Sequence, residues 1–464
     1  MRMCELSKET IDAILGEGRI YEVGGAVRDR YLLKGQPVKD RDYLVTGVPY
    51  DNLTRLLKNF GRVDLVGRSF GVIKFTQFKS GVPHTFDITL PRKEFSTGVG
   101  HRDFKVDFDP GLDVEDDLLR RDFTINAMAL SLYDNKLVDP LKGRRDLKNR
   151  QLRMVHDGSF EDDPLRMLRA IQFAARFNFM IEPKTFEALQ KHAGLMNTVS
   201  SERIAEELNK LMELAEKPSD GFRLMQTSGL LKEVIPQLEE CVGVEQPGGF
   251  HKHDVFEHTL YVIDACRPNL RVRMAALFHD ITKPQHRRLV ENGATFYGHE
   301  VSSAKVARMV LNNLRYPKEF ITDVCTLVER HMFTTEVTDK GLRRLVKRVG
   351  VDLIFDLLDL RRADVVGQGM GGSTEDVDRF EREIRDELDR KPPFSISDLA
   401  IDGHEIMRMF NIEPGRDVGD VLNYLMDRVL DDPSLNTGER LRAMAEEYYN
   451  KEIINKNSDK ESDE

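Results

Sequence analysis

Two kinds of hydrophobic pattern divide the chain near residue 155. Before that point, short β-branched and aromatic runs alternate with turn residues, which is typical of strands mixed with short helices. The runs are RIYEVGG, DYLVTG, VIKFTQF, TFDITL and INAMALSLYD. From about residue 160 onward, apolar residues recur at helical spacing. The pattern predicts an α+β fold, in which an N-terminal domain with a small mixed sheet precedes all-helical regions.

Proline and glycine divide the helical part further. The predicted breaks are QPGGFHKHD near residue 246, GQGMGGSTED near 367 and KPPFS at 391. The last stretch, KEIINKNSDKESDE, is charged and lacks aromatic residues, as disordered tails do. We therefore predict five segments, with bounds 1–155, 156–245, 246–370, 371–450 and 451–464.

Composition narrows the class of protein. The chain of 464 residues is too long to form a single domain around one hydrophobic core. No apolar run approaches the roughly 20 residues that span a bilayer. The start, MRMCELSKETIDA, lacks the pattern of a secretory signal, and the four cysteines lie far apart, so we expect a cytoplasmic protein and no membrane partner. A net charge of −10 means that any surface for nucleic acid is a local basic patch.

A carboxylate pair stands out in KDRDYLVTG. If this stretch is extended, Asp40 and Asp42 project from the same face of a strand and repel each other. A divalent cation such as Mg²⁺ would relieve the repulsion, and such ions commonly bind phosphates together with one or two carboxylates. Chance is the competing explanation, because the chain has 79 acidic residues.

A glycine pair precedes these carboxylates. Gly24 and Gly25, in YEVGGAVRD, follow a strand-like run and open a helix-like one, with Arg28 and Arg30 close behind. Backbone N–H groups at such a helix start can approach phosphate oxygens. The pair alone is usually only a turn, but next to the acidic residues it predicts a phosphate cradle that faces a metal site.

The order of five motifs resembles the class II tRNA nucleotidyltransferases, which comprise CCA-adding enzymes and bacterial poly(A) polymerases. The motifs are GGAVRD, KDRD, RRDFTINAMAL, VDP and EDDPLRMLRA, and they span about the first 230 residues. This family belongs to the DNA polymerase β-like superfamily. The resemblance implies a catalytic head at 1–155 and, at 156–245, a helical neck and body that carries a nucleobase-selecting helix.

The resemblance also implies roles for individual residues. Asp40 and Asp42 would bind the catalytic Mg²⁺, and Asp87 is a possible third carboxylate. The nucleoside triphosphate would be contacted by Gly24, Gly25, Arg28 and Arg121. Asp122 would support the transition from strand to helix that follows Arg121.

In EDDPLRMLRAIQFAAR, read as one helix, Asp163, Arg166 and Arg169 follow one another at intervals of three residues and share a face. In the family, the carboxylate and arginine act as a protein template that selects cytosine and adenine. A surface ion pair is the alternative. Gln172 stands where many relatives have arginine, which leaves the nucleotide preference open. Residues 91–111 look irregular and correspond to the family's flexible loop, which helps to switch specificity from C to A.

A second constellation lies in the helical part. His258, the adjacent His279 and Asp280, and Asp364 follow the order of ligands in the HD superfamily of metal-dependent phosphohydrolases. The resemblance implies an HD domain at 246–370 that binds a second divalent metal ion. His299 and His331 could extend the site toward two metals.

Two C-terminal features suggest contacts with RNA. The helix-like stretch 339–350 carries five cations that could follow RNA phosphates, or could simply be solvated: Lys340, Arg343, Arg344, Lys347 and Arg348. Residues 401–437 resemble the C-terminal arm of related enzymes, so 371–450 is predicted to bind tRNA.

The leading hypothesis is an enzyme that extends the tRNA 3′ end without a nucleic-acid template, from CTP and ATP, releasing pyrophosphate. Within the family, the alternatives are an A-adding enzyme, a CC-adding enzyme and a poly(A) polymerase. From other classes, the alternatives are a chain that acts mainly as an HD phosphohydrolase, a transferase that modifies a signalling protein, and a non-catalytic RNA-binding module. The acidic pair argues against the last, because carboxylates repel phosphates unless a metal is present.

Overall fold

The computed structural model describes residues 5–32, 41–64, 72–96, 104–109, 111–249, 251–291 and 293–454. The chain divides into two compact units. The first comprises Met1–Glu239 and Asn313–Tyr316, and the second comprises Glu240–Asn312 and Pro317–Glu464. No helix in the described ranges is both long and apolar enough to cross a membrane. The five predicted domain bounds stay a prediction.

The first unit contains a mixed sheet. Its strands in chain order are β1 (Arg19–Val23), β2 (Asp42–Thr46), β3 (Arg62–Asp64), β4 (Val72–Lys79), β5 (Val82–Thr89), β6 (Arg92–Ser96), β7 (Phe104–Phe108), β8 (Ala129–Ser131), β9 (Leu137–Val138), β10 (Gln151–Leu152) and β11 (Met180–Ile181). Seven of them form one sheet in the order β3-β4-β5-β2-β1-β8-β9. Strands β2 and β5 pair in parallel, and the other neighbours in this sheet pair antiparallel.

Helices pack against both faces of this sheet, and the part of the first unit that follows the sheet in the chain is mostly helical. They are α1 (Lys8–Glu17), α2 (Gly25–Leu32), α3 (Tyr50–Leu57), α4 (Val114–Leu119), α5 (Gly143–Lys148), α6 (Ser159–Asp162), α7 (Arg166–Phe177), α8 (Pro183–His192), α9 (Ser201–Leu214), α10 (Pro218–Ser228), α11 (Leu230–Val234) and α12 (Pro236–Glu239). Successive strand residues point to opposite faces, so the central strands feed two cores. Tyr43 and Val45 lie in one cluster with residues of α1 and α3. Leu44 lies in the other, with Val114 and Leu118 of α4.

Two local predictions were wrong. The stretch predicted to be irregular contains the antiparallel pair β6–β7, because a ladder satisfies backbone polar groups whatever the side chains are. Gly98 and Gly100 lie outside the described residues. The predicted helix over EDDPLRMLRAIQFAAR is broken between α6 and α7, since the residue before a proline avoids the α region. Asp163, which precedes Pro164, is extended, with φ −145° and ψ 98°.

The second unit, in the residues that the structure describes, is helical except for one short hairpin. Its elements are α13 (Val255–Ala265), α14 (Leu270–Phe278), α15 (Lys283–His286), β12 (Arg288–Val290), β13 (Gly293–Thr295), α16 (His299–Asn313), α17 (Lys318–Arg330), α18 (Asp339–Val349), α19 (Ile354–Gly367), α20 (Glu375–Asp389), α21 (Gly403–Phe410), α22 (Arg416–Asp431) and α23 (Gly438–Tyr448). Helices α21, α22 and α23 share a core of their own around Val421, Leu425 and Leu441. The predicted α+β class, with a mixed sheet first and helices after it, is confirmed.

Candidate functional site

Two carboxylates lie on the same face of the sheet of the first unit, on neighbouring strands. Asp42 is the first residue of β2, and it is in register with Asp87 of the parallel strand β5. Residues in register on neighbouring strands point to the same face, so both carboxylates lie on the face that carries Leu44. Asp42 is exposed and Asp87 is half-buried. Asp40 lies outside the described residues, so its position beside Asp42 stays a prediction.

The glycine pair lies at the same end of the sheet, since Asp42 also pairs with Val23, the last residue of β1. Gly24 follows with φ +67°, a conformation that favours glycine, and α2 begins at Gly25. A Cβ atom on Gly24 would lie 2.6 Å from Nη1 of Arg121. The turn between strand and helix therefore forms as predicted, with the Arg121 guanidinium pressed against it.

Arg28, in the first turn of α2, is buried within the chain. Its Nε donates to Asp29 (2.7 Å) and its Nη1 donates to Asn126 (2.8 Å). The guanidinium carbon also lies 4.8 Å from the ring centre of Phe177, within cation–π range. A Cβ atom on Gly25 would lie 3.5 Å from Arg28 Nη2, so this guanidinium lies beside the glycine turn. Part of its hydrogen-bonding capacity is used by Asp29 and Asn126.

A buried carboxylate that sequence reasoning missed holds Arg121. Asp117 of α4 accepts hydrogen bonds from Arg121 Nη2 (2.9 Å) and from Arg120 Nη2 (2.7 Å). Burial raises the pKa of Asp117, but the two arginines outweigh burial and hold it below the ordinary value. The spacing of three and four residues in DLLRR was the available signal.

Asp122 has two functions in the local structure. Its Oδ1 accepts from the Phe123 N–H (2.8 Å) and from Asn126 (2.9 Å), which stabilises a 3₁₀ turn over Thr124–Asn126. Its Oδ2 accepts from Arg169 of α7. Asp122 therefore supports a 3₁₀ turn rather than the predicted transition from strand to helix. The half-buried Arg169 forms an ion pair with the buried Asp122 carboxylate.

Asp163 and Arg166 do not share a helical face, contrary to prediction, because Asp163 precedes α7. Its Oδ2 accepts from Arg203 of α9 at 2.8 Å. Arg166 instead donates to Ser159 Oγ (2.9 Å) and to the carbonyl oxygen of Arg120 (2.8 Å). Gln172 is buried, and its Nε2 has no hydrogen-bond partner in the described part of the chain. Arg203 lies far away in sequence, and no local pattern pointed to it.

The second unit brings six of the predicted side chains together in two buried groups. One group is His258, His279 and Asp364, and the other is Asp280, His299 and His331. Asp280 connects them, since its Oδ2 lies 3.1 Å from His279 Nε2 and its Oδ1 lies 3.1 Å from His299 Nε2. His258 Nε2 lies 3.2 Å from Asp364 Oδ1.

Three of these histidines are oriented by backbone carbonyl groups. Nδ1 of His279, His299 and His331 lies 2.7 Å from the carbonyl oxygens of Ala276, Phe296 and Val328, respectively. A proton on Nδ1 leaves the Nε2 lone pair directed at the centre of the group, the orientation that a metal ligand needs. Four imidazoles with two carboxylates are a donor set that suits divalent transition metals.

The electrostatics of this group favour ionised carboxylates. Burial raises the pKa of Asp280, but His279 and Lys283 outweigh burial and hold it well below the ordinary value. Burial lowers the pKa of His258, yet its hydrogen bonds to Asp280 and Asp364 raise it to about 9. Burial and the neighbouring His279 lower the pKa of His331 to about 3.

An adjoining cavity of about 540 Å³ is lined by Asp280, His299, His331 and Asp364, among others.

The basic stretch of α18 is largely neutralised within the second unit. Lys340 and Arg344 pair with Asp431 of α22, at 2.5 Å and 3.0 Å, and Lys347 pairs with Asp427 at 3.1 Å. Arg343 is buried against Glu387 at 2.8 Å. These four cations therefore pair with acids of other helices, and contact between this helix and RNA phosphates stays a prediction.

Family models match three parts of the chain. A model described as the poly A polymerase head domain matches residues 20–153. A model described as the probable RNA and SrmB-binding site of polymerase A matches residues 178–242. The HD domain model matches residues 255–366.

Two curated proteins and one solved structure are similar over most of the chain. The A-adding tRNA nucleotidyltransferase of Deinococcus radiodurans is 36% identical over 334 residues, which cover 68% of this chain and 75% of the relative. The CC-adding tRNA nucleotidyltransferase of Thermus thermophilus is 34% identical over 424 residues, or 88% of each chain. The Bacillus stearothermophilus CCA-adding enzyme in complex with CTP has a TM-score of 0.70 at 21% identity, with 96% of this chain and 98% of that chain covered, a likeness of fold.

Proposed function

We propose that this chain, which belongs to the class II tRNA nucleotidyltransferases and carries an HD domain, adds C and A to the tRNA 3′ end. The family comprises CCA-adding enzymes and poly(A) polymerases. The substrates are CTP and ATP, and pyrophosphate is released. The observation that carries the proposal is the register of Asp42 with Asp87 next to the Gly24 turn. Two carboxylates on one face beside a phosphate cradle suit transfer of a nucleotidyl group.

The carboxylates and the glycine turn divide the work of phosphate chemistry. Asp42 and Asp87, with Asp40, are the hard oxygen donors that fit Mg²⁺, which supplies positive charge next to the reacting phosphate when bound. Gly24 and Gly25 let backbone N–H groups approach the triphosphate at the start of α2. Arg121, which lies against Gly24, donates to phosphate oxygens.

Selection of the base is assigned to Asp163 and Arg166. A carboxylate accepts and a guanidinium donates, so together they can recognise the amino group and ring nitrogen that cytosine and adenine both expose. Arg203 holds Asp163 by an ion pair of 2.8 Å, and Arg166 is held by its bonds to Ser159 and to the Arg120 carbonyl. Fixed side chains of this kind can act as a template without nucleic acid.

The test is addition of labelled CTP and ATP to tRNA that ends at the discriminator base, at C or at CC. Asp42→Ala is expected to abolish addition to all three ends while the fold is retained. Asp64→Asn, which removes an exposed carboxylate from β3 of the same sheet, is the matched control and should leave addition unchanged. Addition that survives Asp42→Ala would refute the assignment.

A narrower specificity is the second candidate, since one similar protein is an A-adding enzyme and another is a CC-adding enzyme. The same three tRNA ends separate the possibilities. An A-adding enzyme extends only the tRNA that ends at CC, and a CC-adding enzyme stops before A. A poly(A) polymerase continues with ATP past the first A.

For the HD domain we propose hydrolysis of phosphoesters that depends on a divalent metal. The support is the two buried groups joined by Asp280. His258, His279, Asp280 and Asp364 would hold one ion, which contributes Lewis acidity, and His299 and His331 with Asp280 would hold another. Hydrolysis of bis-p-nitrophenyl phosphate by the full chain should require added metal and be lost in Asp280→Ala, while nucleotide addition persists. Hydrolysis by Asp280→Ala at the wild-type rate would exclude this site.

A further inference from the structure

Asp117 holds two guanidinium groups at once. Its side chain is 2% exposed, and each of its oxygens binds a different arginine. Oδ1 accepts from Arg120 Nε (3.0 Å) and Nη2 (2.7 Å), and Oδ2 accepts from Arg121 Nε (3.2 Å) and Nη2 (2.9 Å). Paired contacts of this kind fix the plane of each guanidinium as well as its position.

This arrangement leaves one nitrogen of Arg121 for another partner. With Nε and Nη2 occupied by Asp117, Nη1 lies against Gly24, where a Cβ atom would be 2.6 Å away. Among the described residues, Nη1 has no hydrogen-bond partner of its own. A donor is therefore aimed at the turn where phosphate is proposed to bind, and its direction is set by the Asp117 carboxylate.

Arg120, the neighbour of Arg121 in the chain, also contacts Arg166, the arginine proposed to select the base. The carbonyl oxygen of Arg120 accepts from Arg166 Nη2 at 2.8 Å. Arg120 is itself held through its side chain by Asp117. One buried carboxylate thus fixes the residues on which both the phosphate side and the base side of the nucleotide site depend.

We propose that Asp117 is a positioning residue that sets both the affinity for the incoming nucleoside triphosphate and the discrimination between bases. The proposal rests on the nucleotidyl transfer assigned above. An asparagine at this position has one acceptor oxygen and places an N–H₂ group against a guanidinium, so it cannot bind both arginines in this way. Without the full carboxylate, Arg121 is no longer held against Gly24. Arg120, whose carbonyl oxygen accepts from Arg166, is also less firmly held.

The experiment measures KM and kcat for CTP and ATP, and misincorporation of UTP and GTP, in the wild type, Asp117→Asn and Glu115→Gln. Glu115 is an exposed acid on the same helix, so Glu115→Gln is matched in charge. Asp117→Asn should raise KM about tenfold, with a smaller change in kcat, because loss of one charge-assisted hydrogen bond weakens binding by roughly a factor of ten. It should also raise misincorporation, because Arg120 no longer holds Arg166 in place. Glu115→Gln should match the wild type.

A double-variant cycle separates positioning from general loss of structure. If Asp117 acts through Arg121, Asp117→Asn should change KM far less in an Arg121→Lys background than in the wild type. Equal effects in both backgrounds, or wild-type KM and selectivity in Asp117→Asn, would overturn the proposal. A wild type that adds no nucleotide to any tRNA end would instead refute the proposed function, so the two failures are distinguishable.

Discussion

The carboxylate of Asp122 and the guanidinium of Arg169 form a two-point ion pair between the turn after α4 and helix α7. Oδ2 of Asp122 accepts from Nε at 2.9 Å and from Nη2 at 2.7 Å. Glu207 of α9 lies 3.4 Å from Nη1 of the same arginine. Arg169 therefore neutralises two buried carboxylates and joins the head of the first unit to its helical part.

Replacing Arg169 by methionine should lower the free energy of unfolding by about 3 kcal/mol at neutral pH, because Asp122 is left buried without its cation. Burial raises the pKa of Asp122, but Arg169 outweighs burial and holds it below 3.8. Because the pKa of Asp122 is lower in the folded state, its ionised carboxylate stabilises the fold at any pH above its ordinary pKa. This stabilisation is lost as the pH falls through the lowered pKa of the folded state. The difference between wild type and variant in urea unfolding should therefore shrink below about pH 4.

The control for this comparison is Arg62→Met, which removes an exposed ion pair with Asp64 on β3. It should change stability little at either pH. A penalty for Arg169→Met that is the same at neutral and acidic pH would mean that lost packing, rather than the charge of Asp122, accounts for the effect.

Asp87 should prove necessary for nucleotide addition. Asp87→Asn is expected to lower kcat at least about tenfold and to raise the Mg²⁺ concentration at half-maximal rate, because Asn is a weaker ligand for a hard cation. A titration of the addition rate with Mg²⁺ measures both quantities. Asp64→Asn should give the wild-type curve. An unchanged curve for Asp87→Asn would show that register with Asp42 does not make Asp87 a ligand.

Local sequence patterns account for the features that were predicted well. The strand, glycine and helix order at Gly24 is visible within ten residues. Four of the six HD side chains, His258, His279, Asp280 and Asp364, follow the order of ligands in the HD superfamily. The register of Asp87 with Asp42 depends on pairing between strands more than 40 residues apart. The acids that pair with Lys340, Arg344 and Lys347 of α18 lie on α22, at least 80 residues away, so no local pattern reveals them.

Gly24→Ala should damage both the fold and nucleotide binding. The positive φ disfavours any Cβ, and the added methyl group would displace Arg121. We expect a loss of about 1 to 3 kcal/mol in stability and a raised KM for CTP and ATP. Gly419→Ala is the matched control, since no atom lies within 4 Å of a Cβ there and the position is inside α22. It should stabilise the protein by about 0.5 to 1 kcal/mol. A wild-type KM in Gly24→Ala would contradict the phosphate cradle.

The two buried groups of the HD domain should bind metal separately. Metal content per chain, measured by mass spectrometry after loading with a divalent ion and desalting, should fall by one ion in His258→Ala and by one ion in His299→Ala. Asp280→Ala should lose both, since its two oxygens face different groups. His404→Ala, which removes an exposed histidine of α21, should retain the wild-type content. Identical losses in His258→Ala and His299→Ala of all bound metal would indicate one shared site.

Arg343 should contribute more to stability than any exposed cation of α18. Its guanidinium donates to the carbonyl oxygens of Leu430 (2.6 Å) and Asp431 (3.1 Å) and to Glu387 (2.8 Å), so it joins α18 to α20 and to the end of α22. Arg343→Met leaves buried acceptors unpaired and should cost about 3 kcal/mol in urea unfolding, whereas Arg348→Met, at an exposed position, should change it by less than about 0.5 kcal/mol. Lys340 and Arg344 pair with Asp431, so their replacement should also lower stability. This loss should be seen even where the salt dependence of tRNA binding is unchanged. A weaker salt dependence of tRNA binding at unchanged stability in Lys340→Ala would support contact between this helix and RNA phosphates.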